Sequence, residues 1–401
     1  MRASLILALG AVGGADRVQS LVGEGPLSEA EALALAKVRD RAGQDGKPGA
    51  DWRAGLALGD VYLETPVGLE RPVSRMLVKE GFPTSVVAGE QLIRLTQPIA
   101  LSRLAPLPRE VAGLRLALSQ LETPALDDAA IDQLVAQGAG RPEFAIWFEA
   151  IGTLRFRFSA EGVSPPRAQT LDWLARVRAG FEPLGMADSP SNYNCELIVA
   201  WSAPHATLFF RPRLERDARF DYRKASVPAA INPVVAAALV RLVNAGAPGV
   251  VVDPTCGGGT LLIERGLFDP GAQLVGLDID GKAIAAAREN AAAAGLGERA
   301  RFANADCRDP ANWPACTLVV ANLPFGIRSG RRDSDLLGLY RAILSNAAAK
   351  LEPGGRIVLA SANRRALEGA VAAEKRRVTT LAKHHYVSGG LMVQVVVLGL
   401  R

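Results

Sequence analysis

Three predicted strands in the second half of this chain, at 249–253, 273–278 and 300–304, each run into an acid: Asp253, Asp278 and Asp306. Helical patterns at 259–267 and 281–294 separate them, and the alternation continues with strands at 317–322 and 355–360 and helices at 335–351 and 364–375. Strands that alternate with helices form a parallel sheet covered on both faces. A helix over 232–244, apolar at Val234, Ala238, Leu239 and Leu242, leads into the first strand. The ending differs, because Val378 to Tyr386, then Ser388-Gly389-Gly390, then Leu391 to Leu398 reads as an antiparallel pair. The expected fold is therefore α/β, a Rossmann-like sheet closed by a terminal antiparallel hairpin.

Ligands of such sheets bind outside the carboxyl ends of the strands. The loop after the first strand is Asp253-Pro254-Thr255-Cys256-Gly257-Gly258-Gly259-Thr260, followed by Leu261-Leu262-Ile263. Gly257 and Gly259 remove side chains where a ligand must approach the backbone. Asp253 suits the amino-acid end of a cofactor, directly or through water. Asp278, in Gly276-Leu277-Asp278-Ile279-Asp280, suits both hydroxyls of a ribose, and Asp306, before Cys307, suits an adenine amino group. Each acid taken alone reads equally well as a helix cap; three at successive strand ends read as a cofactor set. Thr255, Cys256, Thr260, Ile279 and Cys307 flank those contacts. A nicotinamide site predicts G-x-G-x-x-G, which Cys256-Gly257-Gly258-Gly259-Thr260 does not supply. S-adenosylmethionine is the cofactor that fits.

The fourth strand ends in Asn322-Leu323-Pro324-Phe325-Gly326. An exocyclic amine is a poor nucleophile because its lone pair is delocalised into the ring. The Asn322 side-chain oxygen and a backbone carbonyl at Leu323 or Pro324 can accept the two amine hydrogens and favour a more tetrahedral nitrogen. Pro324 fixes the loop and Phe325 offers a face for the base, so the contribution is orientation and electrostatics. Asn322 also borders the cofactor position. The plainer reading of the string is a tight turn after a strand.

The first half carries fewer chemical signals. Ser4 to Val12 is apolar behind Arg2, but it is about the minimum length of a signal core, and a buried strand over Leu5 to Leu9 is expected. Ser28-Glu29-Ala30-Glu31 resembles a capping box opening a helix to Ala42, and a further helix is expected over Asp127 to Gln137, with strands at Asp60 to Leu63 and Gln91 to Leu95. From 143 the pattern sharpens: Leu154, Phe156 and Phe158 alternate with Arg155 and Arg157; Leu171, Leu174 and Val177 fall on one helical side; Cys195, Leu197, Val199 and Trp201 alternate again, with Thr207 to Phe210 as hairpin partner. This β-α-β-β order predicts a small α+β domain of ferredoxin-like character. A basic connector follows, with Arg211, Arg213, Arg219 and Arg223 interleaved with Phe220 and Tyr222, suited to phosphate contact and base stacking or to a solvated linker. The expected organisation is an N-terminal α+β region of unassigned role over 1–142, a small module and linker over 143–224, and the Rossmann-like domain over 225–401; a chain of 401 residues is too long for one ordinary core.

A net charge of +5 permits a polyanionic partner without demanding one. Arg328, Arg331 and Arg332 follow Phe325 closely and form a candidate substrate loop. The four cysteines, Cys195, Cys256, Cys307 and Cys316, show neither a disulfide framework nor paired metal-ligand spacing, and His384 and His385 lack acidic partners at ligand spacing. The expectation is a cytoplasmic, reducing location, with no metal and no membrane span.

Residues 225–401 resemble the catalytic domain of the THUMP-containing RNA guanine-N2 methyltransferases, which modify tRNA. Asp253-Pro254-Thr255-Cys256-Gly257 and Asn322-Leu323-Pro324-Phe325-Gly326-Ile327-Arg328 carry the resemblance. Much of the wider amino-methyltransferase group has a second proline and a tyrosine where this chain has Leu323 and Phe325; Tyr340 in the next helix also fits the family and joins the candidate substrate residues. The resemblance implies a class I methyltransferase fold, S-adenosylmethionine as methyl donor, tRNA as partner, and a ferredoxin-like and THUMP-like N-terminal half that grips the acceptor end. Adenine-N6 methylation of DNA or RNA and guanine-N2 methylation of rRNA use similar chemistry. Glutamine-amide methylation leaves the basic linker without a purpose, and a noncatalytic RNA-binding protein with the retained fold is the competitor of another class.

Overall fold

The computed structural model describes residues 57–58, 60–87, 91–104, 106–141, 153–213, 217–243, 249–326 and 336–401. The expected strand over Leu5 to Leu9, the helix from Ser28, and Arg328, Arg331 and Arg332 lie outside the described residues. Contacts group the chain into two units, one made of Met1–Tyr62, Gln97–Ala105 and Leu114–Asp217, the other of Leu63–Thr96, Pro106–Gly113 and Ala218–Arg401.

The first unit is built on β1 (Gly113–Glu122), α1 (Asp128–Ala139), β2 (Arg155–Glu161), α2 (Arg167–Phe181), β3 (Ala187–Asp188), β4 (Cys195–Ser202) and β5 (His205–Pro212), with strands in the order β1-β5-β4-β2-β3. β2 runs parallel to both β3 and β4, while β5 is antiparallel to β4 and β1, so α2 is the crossover of a β-α-β unit. Asp127 caps α1 by accepting the Ala130 N–H at 2.9 Å. β1 was missed in the sequence: Leu114, Leu116 and Leu118 alternate as a strand requires, but the intervening Arg115 and Ala117 are buried too, so no polar period marks it. α2 corrects a sequence reading. Leu171 is 55% exposed, and the buried stripe is Trp173, Val177 and Phe181 at i, i+4 and i+8.

The second unit carries the α/β sheet expected from the sequence. Its elements are α3 (Pro233–Arg241), β6 (Val250–Asp253), α4 (Thr260–Phe268), β7 (Gln273–Asp278), α5 (Gly281–Ala293), β8 (Ala300–Asn304), β9 (Cys316–Asn322), α6 (Leu336–Lys350), β10 (Leu351–Ser361), α7 (Arg364–Ala373), β11 (Val378–Ser388) and β12 (Leu391–Leu400). The strand order is β8-β7-β6-β9-β10-β12-β11; the first five are parallel, β12 is antiparallel to β10, and β11 is antiparallel to β12. Because helices cover both faces, β6 and β9 read as continuous apolar runs. Val319, Ala321, Ile357, Leu359, Val396 and Leu398 pack with Ile343, Leu344, Leu367 and Ala370 of α6 and α7 in one cluster. Each large apolar side chain buried there stabilises the sheet by roughly 1.5–3 kcal/mol.

Two buried carboxylates explain why segments from the first half group with this unit. Glu264 of α4 accepts two bonds from Arg109, at 2.6 and 2.8 Å, and one from the Tyr222 hydroxyl at 2.7 Å. Glu110 accepts Arg241 of α3 at 2.6 and 2.7 Å, and Arg241 also reaches Glu80. Burial of Glu110 raises its pKa, opposed by the Arg241 cation. The helix Glu70–Lys79 and the antiparallel pair Thr84–Val86 and Leu92–Leu95 complete the unit.

Candidate active site

The order of the strands reverses between β6 and β9, which lie side by side with Val251 opposite Leu318 and Val252 opposite Val319. A doubly wound sheet opens a crevice at such a reversal. The residues that close these two strands are Asp253 and Asn322.

The loop between β6 and α4 is held by main-chain donors. Thr255 N–H reaches Asp253 Oδ1 at 3.0 Å, Cys256 N–H reaches the Leu277 carbonyl at 2.9 Å, and Gly257 N–H reaches Asp278 Oδ2 at 2.9 Å. Gly257 and Gly259 have φ of +52° and +80°, the left-handed region that glycine adopts without strain, and a Cβ on Gly259 would lie 3.2 Å from Ala287 and Phe302. Thr260, which opens α4, is buried. Asp253 is 1% exposed, and burial pushes its carboxyl pKa up to about 8, with Asp278 adding to the rise and the Thr255 N–H opposing it.

Asp278 is partly exposed at the end of β7 and also accepts the Asp280 N–H at 2.9 Å. Its neighbour Ile279 is 73% exposed, which leaves an apolar face beside a carboxylate. Asp306 stands two residues beyond the end of β8, not on the strand. It accepts the Arg308 N–H at 2.9 Å and pairs with the Arg308 guanidinium at 2.7 to 3.0 Å, and these bonds hold its pKa below the usual carboxylate range. Cys307 is buried and its carbonyl accepts Trp313 Nε1 at 2.8 Å and Asn346 Nδ2 at 3.0 Å. Burial raises the pKa of all four cysteines, so none is a ready thiolate at neutral pH.

Asn322 Oδ1 is buried and has no hydrogen-bond partner among the described residues, and neither has Thr255 Oγ1. A buried polar atom without a partner costs roughly 1–3 kcal/mol, so an unpartnered amide oxygen and hydroxyl at one crevice mark where a polar ligand fits. Leu323 is buried at 1% exposure and its N–H reaches the Ala360 carbonyl at 2.9 Å, whereas Pro324 is exposed and Phe325 half-buried. Tyr340 is fully buried in α6 and donates to the Pro324 carbonyl at 2.6 Å. It therefore supports the loop from behind, whereas the sequence reading placed it among the substrate residues. Ser361, 2.7 Å from the Tyr340 hydroxyl, and Asn290, whose amide reaches the Gly258 carbonyl at 3.0 Å, were missed. Ser361 carried one available signal: it is a polar residue closing the apolar run of β10.

The connector arginines divide. Arg219 reaches the carbonyls of Leu107, Pro108 and Val111 and lies over the Phe220 ring, so it braces its own unit. Arg211 pairs with Glu196 at 2.8 Å, and Arg157 pairs with the same carboxylate. Arg157 and Arg213 lie 4.3 and 5.0 Å from the Tyr193 ring centre, a cationic and aromatic cluster on the first unit. Arg223 is exposed.

Residues 221–392 match the family described as UPF0020, RMKL-like, methyltransferase domain. A tRNA (guanine(6)-N2)-methyltransferase of Thermus thermophilus is 39% identical over 148 residues, 36% of this chain and 43% of that protein. A tRNA (guanine(10)-N2)-dimethyltransferase of Methanothermobacter thermautotrophicus is 32% identical over 145 residues, 36% of this chain and 42% of that protein. The alignments thus span under half the length of these relatives. The crystal structure of TrmN from Thermus thermophilus superposes with a TM-score of 0.70 at 25% identity, covering 85% of this chain and 99% of that one. No helix among the described residues is long and apolar enough to cross a membrane.

Proposed function

We propose that this chain, whose residues 221–392 form an RMKL-like methyltransferase domain, methylates the N2 amine of guanosine in tRNA with S-adenosylmethionine as donor. The observation that carries the reading is the unpartnered, buried Asn322 Oδ1 at the strand reversal, one strand away from the buried Asp253. The names of the two tRNA relatives support the substrate.

The donor supplies an electrophilic methyl on a sulfonium. Asp253 would hold its amino-acid end, Gly257 and Gly259 would allow close backbone approach, Asp278 would accept the ribose hydroxyls, and Ile279 would offer the adenine an apolar face, with Thr255, Cys256 and Thr260 completing the loop. Asp306 would serve the adenine amino group only while sharing its carboxylate with Arg308. On the acceptor side Asn322 Oδ1 and the Pro324 carbonyl take the amine hydrogens, and Phe325 stacks on the base. Catalysis by this set is orientation plus electrostatics in a site that needs no strong base. The Tyr193 cluster, with Arg157, Arg211 and Arg213, offers a grip on the RNA backbone, and the sequence assigns Arg328, Arg331 and Arg332 a substrate role of their own.

Labelled methyl transfer to total tRNA, rRNA, DNA and protein in parallel, followed by nucleoside analysis, tests this. Label as N2-methylguanosine in tRNA is the expected result. Label in another pool overturns the substrate, and absence of label in every pool, with the cofactor bound, returns the chain to a binding role.

A further inference from the structure

The sheet ends in a hairpin whose tip is apolar and open. β11 and β12 turn at Gly389 and Gly390, with φ of +56° and +79°, and the flanking Val387, Leu391 and Met392 are 39%, 38% and 63% exposed. Register fixes where this tip stands. Asn322 lies opposite Ala360, Ala360 opposite Val395, and Ser361, the last residue of β10, opposite Gln394. Val393, Met392 and Leu391 therefore run on past the end of β10 at the same end of the sheet as Asn322. Val387 is opposite Met392, so their side chains share the face that carries Gln394 and Ser361.

A cationic edge lies next to the tip. The Val387 N–H donates to the Val67 carbonyl at 3.0 Å, and a Cβ on Gly68 would collide with the His385 carbonyl, so residues 67–68 pack against the edge of β11. The helix Glu70–Lys79 follows immediately and exposes Arg71 and Arg75 one turn apart. Neither makes an ion pair among the described residues. Burial, helped by the charges of Arg75 and His385, holds His384 of β11 below the usual histidine range.

We propose that this tip and the first turns of that helix form a docking surface for the RNA strand next to the target nucleotide, with Met392, Val387 and Leu391 against base or ribose faces and Arg71 and Arg75 on phosphates. The inference rests on the RNA reading above and names a surface that reading does not use. Apolar side chains beside unpaired guanidinium groups match a polymer that presents phosphates and flat apolar faces together. The position matters as well. A base drawn out of a stem leaves neighbours unstacked, and exposed apolar side chains beside the catalytic strand end can cover them.

Two full-length variants test it, Val387→Ser with Leu391→Ser and Met392→Ser, and Arg71→Gln with Arg75→Gln. The probe is a tRNA transcript, with binding measured separately from methyl transfer. The apolar variant is expected to raise KM and weaken tRNA binding about tenfold with cofactor affinity intact, and the arginine variant to make the salt slope of log K shallower by roughly one to two units. Unchanged KM and salt slope in both variants overturn the proposal. A photoreactive residue at position 392 gives an independent readout: crosslinks to the tRNA support it, and crosslinks to a second copy or to no RNA overturn it. Wild-type protein that binds tRNA through these residues but transfers no methyl sinks the functional reading and leaves the docking surface standing.

Discussion

The Tyr340 hydroxyl donates to the Pro324 carbonyl at 2.6 Å, and this bond fixes the direction of a longer chain. A carbonyl only accepts, so the Tyr340 proton is committed there, and the 2.7 Å contact between Tyr340 and Ser361 must use the serine proton. Ser361 in turn accepts the Asn363 N–H at 2.9 Å. Burial pushes the Tyr340 pKa up to about 12, so the phenol stays protonated and the order holds at neutral pH. The chain orients a carbonyl that the proposed mechanism aims at an amine hydrogen.

Removing that proton should slow transfer without loosening the cofactor. Tyr340→Phe keeps the ring and the packing but frees the Pro324 carbonyl, and kcat is expected to fall about five- to tenfold, the worth of one net hydrogen bond. Ser361→Ala should cost less, because Tyr340 still reaches Pro324. Single-turnover rates and calorimetric cofactor affinity check both; a Tyr340→Phe enzyme with wild-type kcat would show that the loop holds its geometry alone.

Asn322→Ala removes the acceptor itself. The expected loss in kcat is about a hundredfold or more, with cofactor affinity nearly intact because Asn322 makes no bond to the glycine loop among the described residues. Equal loss of transfer and of cofactor binding would reassign Asn322 to holding the strand end.

Asp253 carries a pH signature. Its folded pKa, about 8, lies above its ordinary 3.8, so between these values the native state holds a proton that the unfolded chain has released. Stability contributed by this group is full below pH 3.8 and is lost as pH rises toward 8. The melting temperature of the apo protein should therefore fall across that window through this group, and Asp253→Asn should flatten the trend. A cofactor ammonium placed at Asp253 should expel the proton. Calorimetry at pH 7 in two buffers of different ionisation enthalpy should detect release of up to about one proton, absent in Asp253→Asn; equal proton release in both proteins would place the ammonium elsewhere.

The parallel sheet was legible because period and punctuation agreed: apolar runs, acids at strand ends, and glycines where the chain turns. β9 was expected at 317–322 and spans Cys316–Asn322, and α5 was expected at 281–294 and spans Gly281–Ala293. What escaped was set by contacts distant in sequence. Arg109 belongs with Glu264 and Arg219 with the carbonyls of 107–111, and no local pattern announces a partner more than a hundred residues away. β1 escaped for the opposite reason, since a strand buried on both faces shows no alternation of polarity. At the site, Asp253 and Asn322, which close the two strands at the reversal, could be named from the sequence, whereas Tyr340 and Ser361, which support the loop, could not be told from substrate contacts or core.

The same distinction separates the connector arginines, which sequence reading grouped together. Arg219 gives its guanidinium to the main-chain carbonyls of Leu107, Pro108 and Val111, so Arg219→Gln should lower the melting temperature while leaving the salt dependence of RNA binding nearly unchanged. Arg223 is exposed; its N–H reaches the Phe220 carbonyl at 3.1 Å, and its side chain makes no hydrogen bond or ion pair among the described residues. Arg223→Gln should leave stability within about 0.5 kcal/mol and make the salt slope shallower by roughly 0.7 to 0.9 if it contacts one phosphate. Thermal melts and tRNA titrations over a salt series decide between the two roles for each residue. A salt slope that changes with Arg219 and not with Arg223 would reverse the assignment, and would mean that the carbonyls of 107–111 release Arg219 when RNA arrives.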